Sequence, residues 1–285
     1  MKTNDEIKNE LETKGYCVVP DILTPNEVEY SKLSFQNWMD SIENFDIIHD
    51  MINPSGIIKY HNIGHTRHAW FIRTRPQVKN VFKAIWNTDD LIVSYDGSCY
   101  ISNKNKNETT FWTHTDQAPN FKGFHCYQGF VSLTENKERT LVVYEGSHLF
   151  HEKYFKDRNI ESDNHWQILE KDYIDSISQL KKVLHVPAGS LVLWDSRTFH
   201  QNQYGAPESE ERMVQYVCYF PRNHIKNTTY TQRKRENYFH EKITTSHWPA
   251  PVNAVPLQPN YFEIDYETLD PIYLNDLMGE IETLI

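Results

Sequence analysis

The sequence predicts a mainly β protein, an antiparallel barrel or jelly roll that carries added α-helices. Six short segments are rich in β-branched and aromatic residues, and glycine or polar turns separate them. No βα periodicity runs through them, which favours an antiparallel sheet over a parallel one. The segments, all between Leu91 and Phe220, are LIVSYDGSCYIS, FHCYQGFVSL, TLVVY, KVLHV, SLVLWD and ERMVQYVCYF.

The first part of the chain predicts two helices with a strand between them. Ile7 and Leu11 lie four residues apart in a charged, helix-like opening, and the apolar run from Tyr16 to Pro20 is typical of a strand. The sequence Thr24-Pro25-Asn26-Glu27 combines a capping box with a proline in the first turn, which predicts the start of a helix. The apolar face of that helix would consist of Val28, Phe35, Trp38, Met39 and Ile42.

Further helices are predicted on the connections and in the last part of the chain. SHLFHEKYF and KDYIDSISQLKK look helical, and so does the polar stretch from Asn227 to about Thr245. The proline-spaced HWPAPVNAVPLQP should be extended, before a last short helix from about Asp276 to Ile285. We expect one domain over residues 1–285. It would comprise an N-terminal strand and helix region (1–90), a β core (about 91–222) and a C-terminal extension (223–285).

Composition narrows the classes of function. A formal net charge of -10 and a pI near 5.8 disfavour a protein that coats a nucleic-acid backbone. The four cysteines are far apart and form no CxxC pair, which indicates reduced thiols. The opening lacks the apolar core of a secretory signal, and no run of 18 apolar residues occurs. These features predict a cytoplasmic protein without a membrane anchor; they say nothing of oligomeric state.

The stretch FWTHTDQAP places His114 and Asp116 one residue apart on a predicted strand. Alternate strand residues face the same side, so both side chains can reach one ion. Two histidines and one carboxylate make the facial triad of non-haem iron(II), which leaves coordination positions open. A lone H-x-D occurs by chance in many chains, so a third ligand is needed. His200 is the candidate, because it directly follows the strand-turn-strand unit PAGSLVLWDSRTF, with the turn at Gly189.

Arg212 begins the last long predicted strand, twelve residues after His200. A guanidinium binds a carboxylate through two parallel hydrogen bonds, so an arginine opposite a metal could hold the far end of a dicarboxylate. 2-Oxoglutarate needs such a partner, since its keto-acid end would chelate the iron. A surface ion pair within ESEERM is the other interpretation of Arg212.

These motifs together resemble the phytanoyl-CoA dioxygenase family of iron(II)- and 2-oxoglutarate-dependent oxygenases. The resemblance runs from about Gly15 to Arg222. It starts at GYCVVPDILTPNEVE, passes through His114 and Asp116, and continues with SLTENKERTLVVYEGSH, PAGSLVLWDSRTFH and Arg212.

The resemblance implies a double-stranded β-helix (jelly roll, cupin-like) fold with added helices. It implies that the protein uses dioxygen to oxidise a small-molecule substrate, converting 2-oxoglutarate into succinate and carbon dioxide. We expect the oxidation to be hydroxylation of a C–H bond. It also implies that Asn202 contacts the co-substrate, with Gln128 and Trp112 as weaker candidates. The identity of the substrate and the use of an acyl-CoA cannot be read from the sequence. The other open interpretation is a cupin-like metal- or ligand-binding protein without turnover, which would not need Arg212.

Two basic runs, within residues 59–75 and 222–235, leave their roles open. Each is most simply a solvated face. The first could instead rim the pocket and attract an anionic substrate, and the second could contact nucleic acid, although the net charge disfavours that partner. The first run contains His61, His65, Arg67, His68, Arg73 and Arg75, and the second contains Arg222, Lys226, Arg233, Lys234 and Arg235.

Overall fold

The computed structural model describes residues 2–46, 49, 55–60, 62–255 and 273–285. Strands dominate the part of the chain after residue 90, as predicted. The strands are β1 Tyr16–Val19, β2 Ile57–Ile58, β3 Leu91–Val93, β4 Ser98–Ile101, β5 His114–Thr115, β6 Tyr127–Ser132, β7 Leu141–Tyr144, β8 Gln167–Ile168, β9 Lys181–Val183, β10 Leu191–Asp195, β11 His200–Asn202, β12 Arg212–Val217 and β13 Tyr219–Pro221.

Two antiparallel sheets form a jelly roll, which confirms the predicted fold class. The larger sheet has the order β1-β10-β6-β12-β4-β2, the other has the order β8-β5-β11-β7-β9, and β13 pairs with β3. The first two strands of the chain thus extend the sheet made by the later ones. Inward-facing side chains of the two sheets, such as Phe130 and Trp194 from one and Leu141 and Val143 from the other, form one apolar cluster. The candidate site lies between these inner faces.

Helices cover the outer faces of both sheets. The first four and the last pack on the six-stranded sheet, while α5 and α6 pack on the other one. Their bounds are α1 Asn4–Lys14, α2 Pro25–Asp40, α3 Arg67–Thr74, α4 Pro76–Trp86, α5 His151–Asp157, α6 Lys171–Ser176, α7 Thr229–His240 and α8 Met278–Glu282. The helices α3 and α4 were not predicted, although Val78, Val81 and Phe82 of α4 recur at helical spacing and are buried.

The predicted helix start and turn are both present. Thr24 and Glu27 form a reciprocal capping box at α2, with Pro25 in the first turn. Gly189 has a φ of +80°, and a Cβ there would lie 2.8 Å from the carbonyl oxygen of Leu23. A side chain at that position would therefore strain the turn that leads into β10.

Two predicted elements end differently from expectation. The segment KDYIDSISQLKK forms α6 and then a 3-10 helix at Ser178–Leu180, and its last two residues belong to β9. The polar helix predicted from Asn227 ends at His240. The extended tail is described as far as residue 255, and the rest of that prediction lies outside the described residues.

The prediction that both basic runs are solvated faces is wrong for several of their members. His65, His68, Arg73 and Arg235 are buried, and His61 lies outside the described residues. Burial lowers the pKa of His65 and of His68 to about 3. Arg235 donates to the carbonyl oxygens of Pro249, Val93 and Leu284. These side chains hold elements together in the interior.

The four cysteines are free and buried, as predicted. In the described part of the chain, no helix has the length and apolar character needed to cross a membrane.

Candidate metal and 2-oxoglutarate site

The three predicted metal ligands come together in the interior of the jelly roll. His114 on β5 and His200 on β11 are register partners of adjacent antiparallel strands, so their side chains point to the same face. Asp116 follows β5, where its backbone N–H donates to the carbonyl of Ser196 at 3.0 Å. The carboxylate lies 3.6 Å from His114 Nε2 and 3.4 Å from His200 Nε2. One ligand atom from each residue lies within 4.8 Å of the other two.

Both imidazoles are held by the backbone. His114 Nδ1 lies 3.1 Å from the carbonyl oxygen of Trp112, and His200 Nδ1 lies 2.9 Å from that of Thr198. A carbonyl can only accept, so Nδ1 carries the hydrogen in each ring. Nε2 then keeps its lone pair and faces the carboxylate, which is the arrangement that metal-binding histidines require.

The charge state of the cluster suits a divalent cation. Burial and, to a smaller extent, the neighbouring His200 lower the pKa of His114 to about 3, so this imidazole is neutral at neutral pH. Burial alone would raise the pKa of Asp116, but its contacts with His200 and His114 bring it below its usual range, so the carboxylate is ionised. A buried carboxylate beside two imidazoles is the donor set of the non-haem iron triad.

Arg212 is fully buried on β12, and its guanidinium lies 5.3 Å from the centre of the Phe130 ring. None of its three nitrogens has a hydrogen-bond partner among the described residues. Phe130 packs against Trp194, whose ring centroid is 5.3 Å from that of His200, so the guanidinium and the triad belong to one interior. A buried, unpaired cation is costly unless a ligand neutralises it. The site therefore fits an anion with a carboxylate at this end.

Other polar atoms of the interior also lack partners in the described structure. They are both side-chain atoms of Gln128 and the indole nitrogen of Trp194, which are register partners on β6 and β10. Asn202, two residues after His200, donates to the hydroxyl of Tyr216 at 3.3 Å. These groups belong to the same interior as the triad and Arg212, and their polar atoms suit a ligand with several oxygen atoms.

Trp112 has a different environment from the other predicted co-substrate contacts. Its ring stacks on His114 with centroids 4.9 Å apart, and its indole nitrogen donates to the carbonyl of Asn202 at 3.1 Å. Because the only polar atom of this side chain is already bonded, the geometry favours support of the metal ligand over direct contact with a co-substrate.

Three residues near the triad were missed as site residues in the sequence. Burial lowers the pKa of Lys59, which follows β2, and the charges of Asp116 and Asp96 oppose that shift. Asp96 is buried between β3 and β4, and His247 lies in the segment after α7, 2.8 Å from it. For Lys59, its place between apolar residues in IIKYH was a signal in the sequence that could have indicated a buried lysine. Nothing local distinguishes Asp96 or His247, because their proximity arises from tertiary contacts.

The chain is similar to a protein of a biosynthesis cluster. It is 27% identical over 238 residues to the Ava biosynthesis cluster protein O of Aspergillus versicolor, and the alignment covers 75% of this chain and 77% of that protein.

Solved structures share the fold at low identity. The GlcNAc Inducible Gene 2 protein of Candida albicans has a TM-score of 0.60 at 14% identity, over 77% of this chain and 64% of that one, so this chain spans less than two thirds of its length. The epimerase SnoN, solved with Fe3+, alpha ketoglutarate and nogalamycin RO, has a TM-score of 0.54 at 16% identity, over 76% and 83%. EctD from S. alaskensis, solved with 2-oxoglutarate and 5-hydroxyectoine, has a TM-score of 0.51 at 16% identity, over 77% and 78%.

A family model described as phytanoyl-CoA dioxygenase matches residues 11–203. The match includes the triad, Gln128, Trp112 and Asn202, and it ends before Arg212 and His247. It covers more than half of the chain, and the fold agrees with it. The chain therefore belongs to the phytanoyl-CoA dioxygenase family, whose members are 2-oxoglutarate-dependent non-haem iron enzymes, as the motifs predicted.

Proposed function

We propose that this protein is an iron(II)- and 2-oxoglutarate-dependent dioxygenase that hydroxylates a C–H bond of a small organic molecule. One observation carries the proposal: the buried guanidinium of Arg212, which has no described partner, shares an interior with a His-Asp-His triad. A metal triad alone would suit many proteins. The additional unpaired cation specifies a ligand that is both a metal chelator and an anion.

In this proposal each residue of the triad has a defined role. His114 and His200 bind the iron through Nε2, and Asp116 binds it through a carboxylate oxygen. When bound, the iron would activate dioxygen, which would oxidise 2-oxoglutarate to succinate and carbon dioxide with one oxygen atom and hydroxylate a C–H bond of the substrate with the other. The backbone carbonyls behind the two imidazoles keep Nε2 aimed at the ion. The aromatic lining keeps bulk water out of the interior.

Arg212 would bind the distal carboxylate of 2-oxoglutarate through two charge-assisted hydrogen bonds. Gln128 and Asn202 would contact the same molecule between the metal and the arginine, and Trp194 would add an indole N–H. Trp112 would act through His114, on which its ring stacks. A ligand of this kind would satisfy the polar atoms that the interior leaves unbonded, and it would offset the burial of the cation.

The alternative of a cupin-like binding protein without turnover accounts for the barrel and the triad. It does not account for Arg212, since a protein that only stores a metal gains nothing from an unpaired buried cation.

Hydroxylation is a more specific proposal than the enzyme class. Proteins of similar fold differ in this respect: SnoN is an epimerase, whereas EctD was solved with a hydroxylated compound. The Aspergillus relative belongs to a biosynthesis cluster, which supports a small-molecule substrate.

The position of Lys59 favours a substrate or co-substrate that carries an acidic group. Its ammonium acts electrostatically on Asp116 and Asp96. Lys59 is the one residue of the 59–75 run that we place at the site. His65, His68 and Arg73 are buried in the protein interior, where they hold elements together. The proposed anionic substrate therefore rests on Lys59 alone.

The test starts from protein reconstituted with iron(II) without oxygen. We expect one iron per chain by elemental analysis and saturable binding of 2-oxoglutarate by calorimetry. Dioxygen is then admitted with a panel of small metabolites and natural-product precursors, and succinate is measured. For any compound that stimulates succinate, labelled dioxygen should add one labelled oxygen atom to the product. Failure to bind 2-oxoglutarate would overturn the enzyme class, whereas a product without label would overturn hydroxylation only.

A further inference from the structure

The imidazole of His247 is held by a buried ion pair. Its Nδ1 lies 2.8 Å from one carboxylate oxygen of Asp96, and Nη2 of Arg73 lies 3.2 Å from the other oxygen. Arg73 also donates to the backbone carbonyls of Gly64 and Asp96, at 2.5 and 2.6 Å. Both members of the ion pair are fully or almost fully buried. His247 is thus fixed by a carboxylate that cannot rotate away.

This arrangement determines which ring nitrogen can bind a ligand. A carboxylate oxygen accepts, so the hydrogen of the neutral imidazole lies on Nδ1 and the lone pair lies on Nε2. Within the described part of the chain, Nε2 of His247 has no hydrogen-bond partner. The ring is only partly buried, so this nitrogen is accessible. It therefore offers a fixed acceptor to a group that approaches from the site.

His247 lies at the edge of the metal site. Its ring meets Tyr216 edge-on at 4.7 Å between centroids and Trp194 at 6.1 Å, and both of these rings line the interior. The next residue, Trp248, stacks on His165 at 4.3 Å, and His165 accepts a hydrogen bond from the N–H of Ala118. The segment after α7 is thereby tied to the loop that follows Asp116.

An aromatic side chain of a neighbouring segment also lies next to the triad. Trp166 is half exposed, and its ring centroid lies 5.6 Å from that of His114. Its φ of +67° is rare for a bulky residue, and such strain persists where the surrounding structure imposes it. Because His165 stacks on Trp248, the segments that carry Trp166 and His247 adjoin. Together these segments place an apolar ring and a fixed acceptor beside the residues of the site.

From this arrangement we infer that His247 determines substrate specificity by accepting a hydrogen bond from a hydroxyl or N–H group of the substrate, whose apolar body packs against Trp166. The inference rests on the proposed function, since it places the substrate beside the metal. It goes beyond the family, because the family match ends at residue 203. The substrate class is therefore an organic molecule with a planar or apolar body and a hydrogen-bond donor.

The experiment compares matched probes on protein loaded with iron(II) and 2-oxoglutarate without oxygen. Phenol is compared with anisole, and indole with N-methylindole, since each pair differs by one donor. Binding is measured by ligand-observed nuclear magnetic resonance, with affinities from titration. We expect the donor-bearing member of each pair to bind about five- to tenfold more tightly. This ratio should fall to about one in His247→Phe, which keeps a ring but cannot accept.

His185→Phe is the matched control, because His185 also binds a carboxylate, that of Glu135 at 2.9 Å, but lies exposed at the surface. It should keep the donor preference. His247→Gln should restore part of it, since its amide oxygen can accept. Equal binding within each pair in the wild type, or a preference that survives in His247→Phe, would overturn the inference. Binding of iron and 2-oxoglutarate to the wild type is measured first. If the wild type binds neither, the proposed function is overturned, not this inference alone.

Discussion

His114 and His200 face each other across adjacent antiparallel strands, with ring centroids 4.3 Å apart. The two imidazoles and Asp116 therefore depend on one strand pairing for their spacing. We predict that His114→Ala and His200→Ala each lower iron affinity by roughly 100-fold, because two ligands cannot hold the ion in place of three. Elemental analysis after dialysis measures the loss, and His185→Ala serves as the surface control. Unchanged metal content in the double variant His114→Ala/His200→Ala would show that the site is elsewhere.

Arg212→Leu should weaken 2-oxoglutarate binding without destabilising the fold. The lost charge-assisted bonds correspond to about 1.5–3 kcal/mol, or roughly ten- to a hundredfold in affinity. The free energy of unfolding of the ligand-free protein should stay the same or rise, because the variant removes a buried charge that has no described partner. Calorimetric titration and urea denaturation measure the two quantities.

Arg235→Leu is the matched comparison for that experiment. Arg235 is also buried, but it donates to three backbone carbonyls. Its removal should lower the free energy of unfolding by about 1–3 kcal/mol or more, because buried carbonyls lose their donor. If instead Arg212→Leu unfolds the protein and leaves 2-oxoglutarate affinity unchanged in what remains folded, Arg212 is structural and the anchor is another residue.

Asp96→Ala should be among the most destabilising substitutions in the chain. It would leave Arg73, which is fully buried, without its carboxylate, and breaking a buried pair in this way costs about 3–5 kcal/mol. Asp276→Ala removes a carboxylate from an exposed pair with Arg67, and about 0–1 kcal/mol is expected there. Urea denaturation of both variants tests the contrast. Equal losses would mean that the buried pair contributes no more than a surface one.

Stability should fall as the pH is lowered from 7 to 5. Burial lowers the pKa of His65 and of His68 from 6.5 to about 3, so the unfolded chain binds more protons than the folded one between these values. The stability lost by pH 5 is about 2 kcal/mol for each histidine. His68→Gln should flatten the dependence of the unfolding free energy on pH over this range. A slope that stays as steep in His68→Gln would exclude His68 as a contributor.

The jelly roll and the three residues that cluster in its interior could be predicted from the sequence, because both depend on local patterns. His114 and Asp116 share a face through strand alternation, and the unit that ends at His200 contains its own turn at Gly189. The role of Arg212 in binding remains a prediction. The burial that supports it could not be read from the sequence, since ESEERM is rich in charge.

What the sequence could not predict depends on long-range packing. Arg73 and Arg235 look like members of solvated runs, but each is buried and donates to backbone carbonyls of other segments. Asp96 and His247 are more than a hundred residues apart and carry no common motif. A side chain whose partner is set by the tertiary fold gives no periodic signal, whatever its chemical importance.

The hydrogen bonds that aim the two imidazoles end on main-chain carbonyls, those of Trp112 and Thr198. A substitution at either position changes a side chain but still presents a carbonyl oxygen, so evolution can rarely delete these acceptors by point mutation. The orientation of the two imidazoles is consequently insensitive to substitutions of the residues around them. The walls of the pocket, including the segment that carries His247, are free to diversify while the metal centre stays in working order.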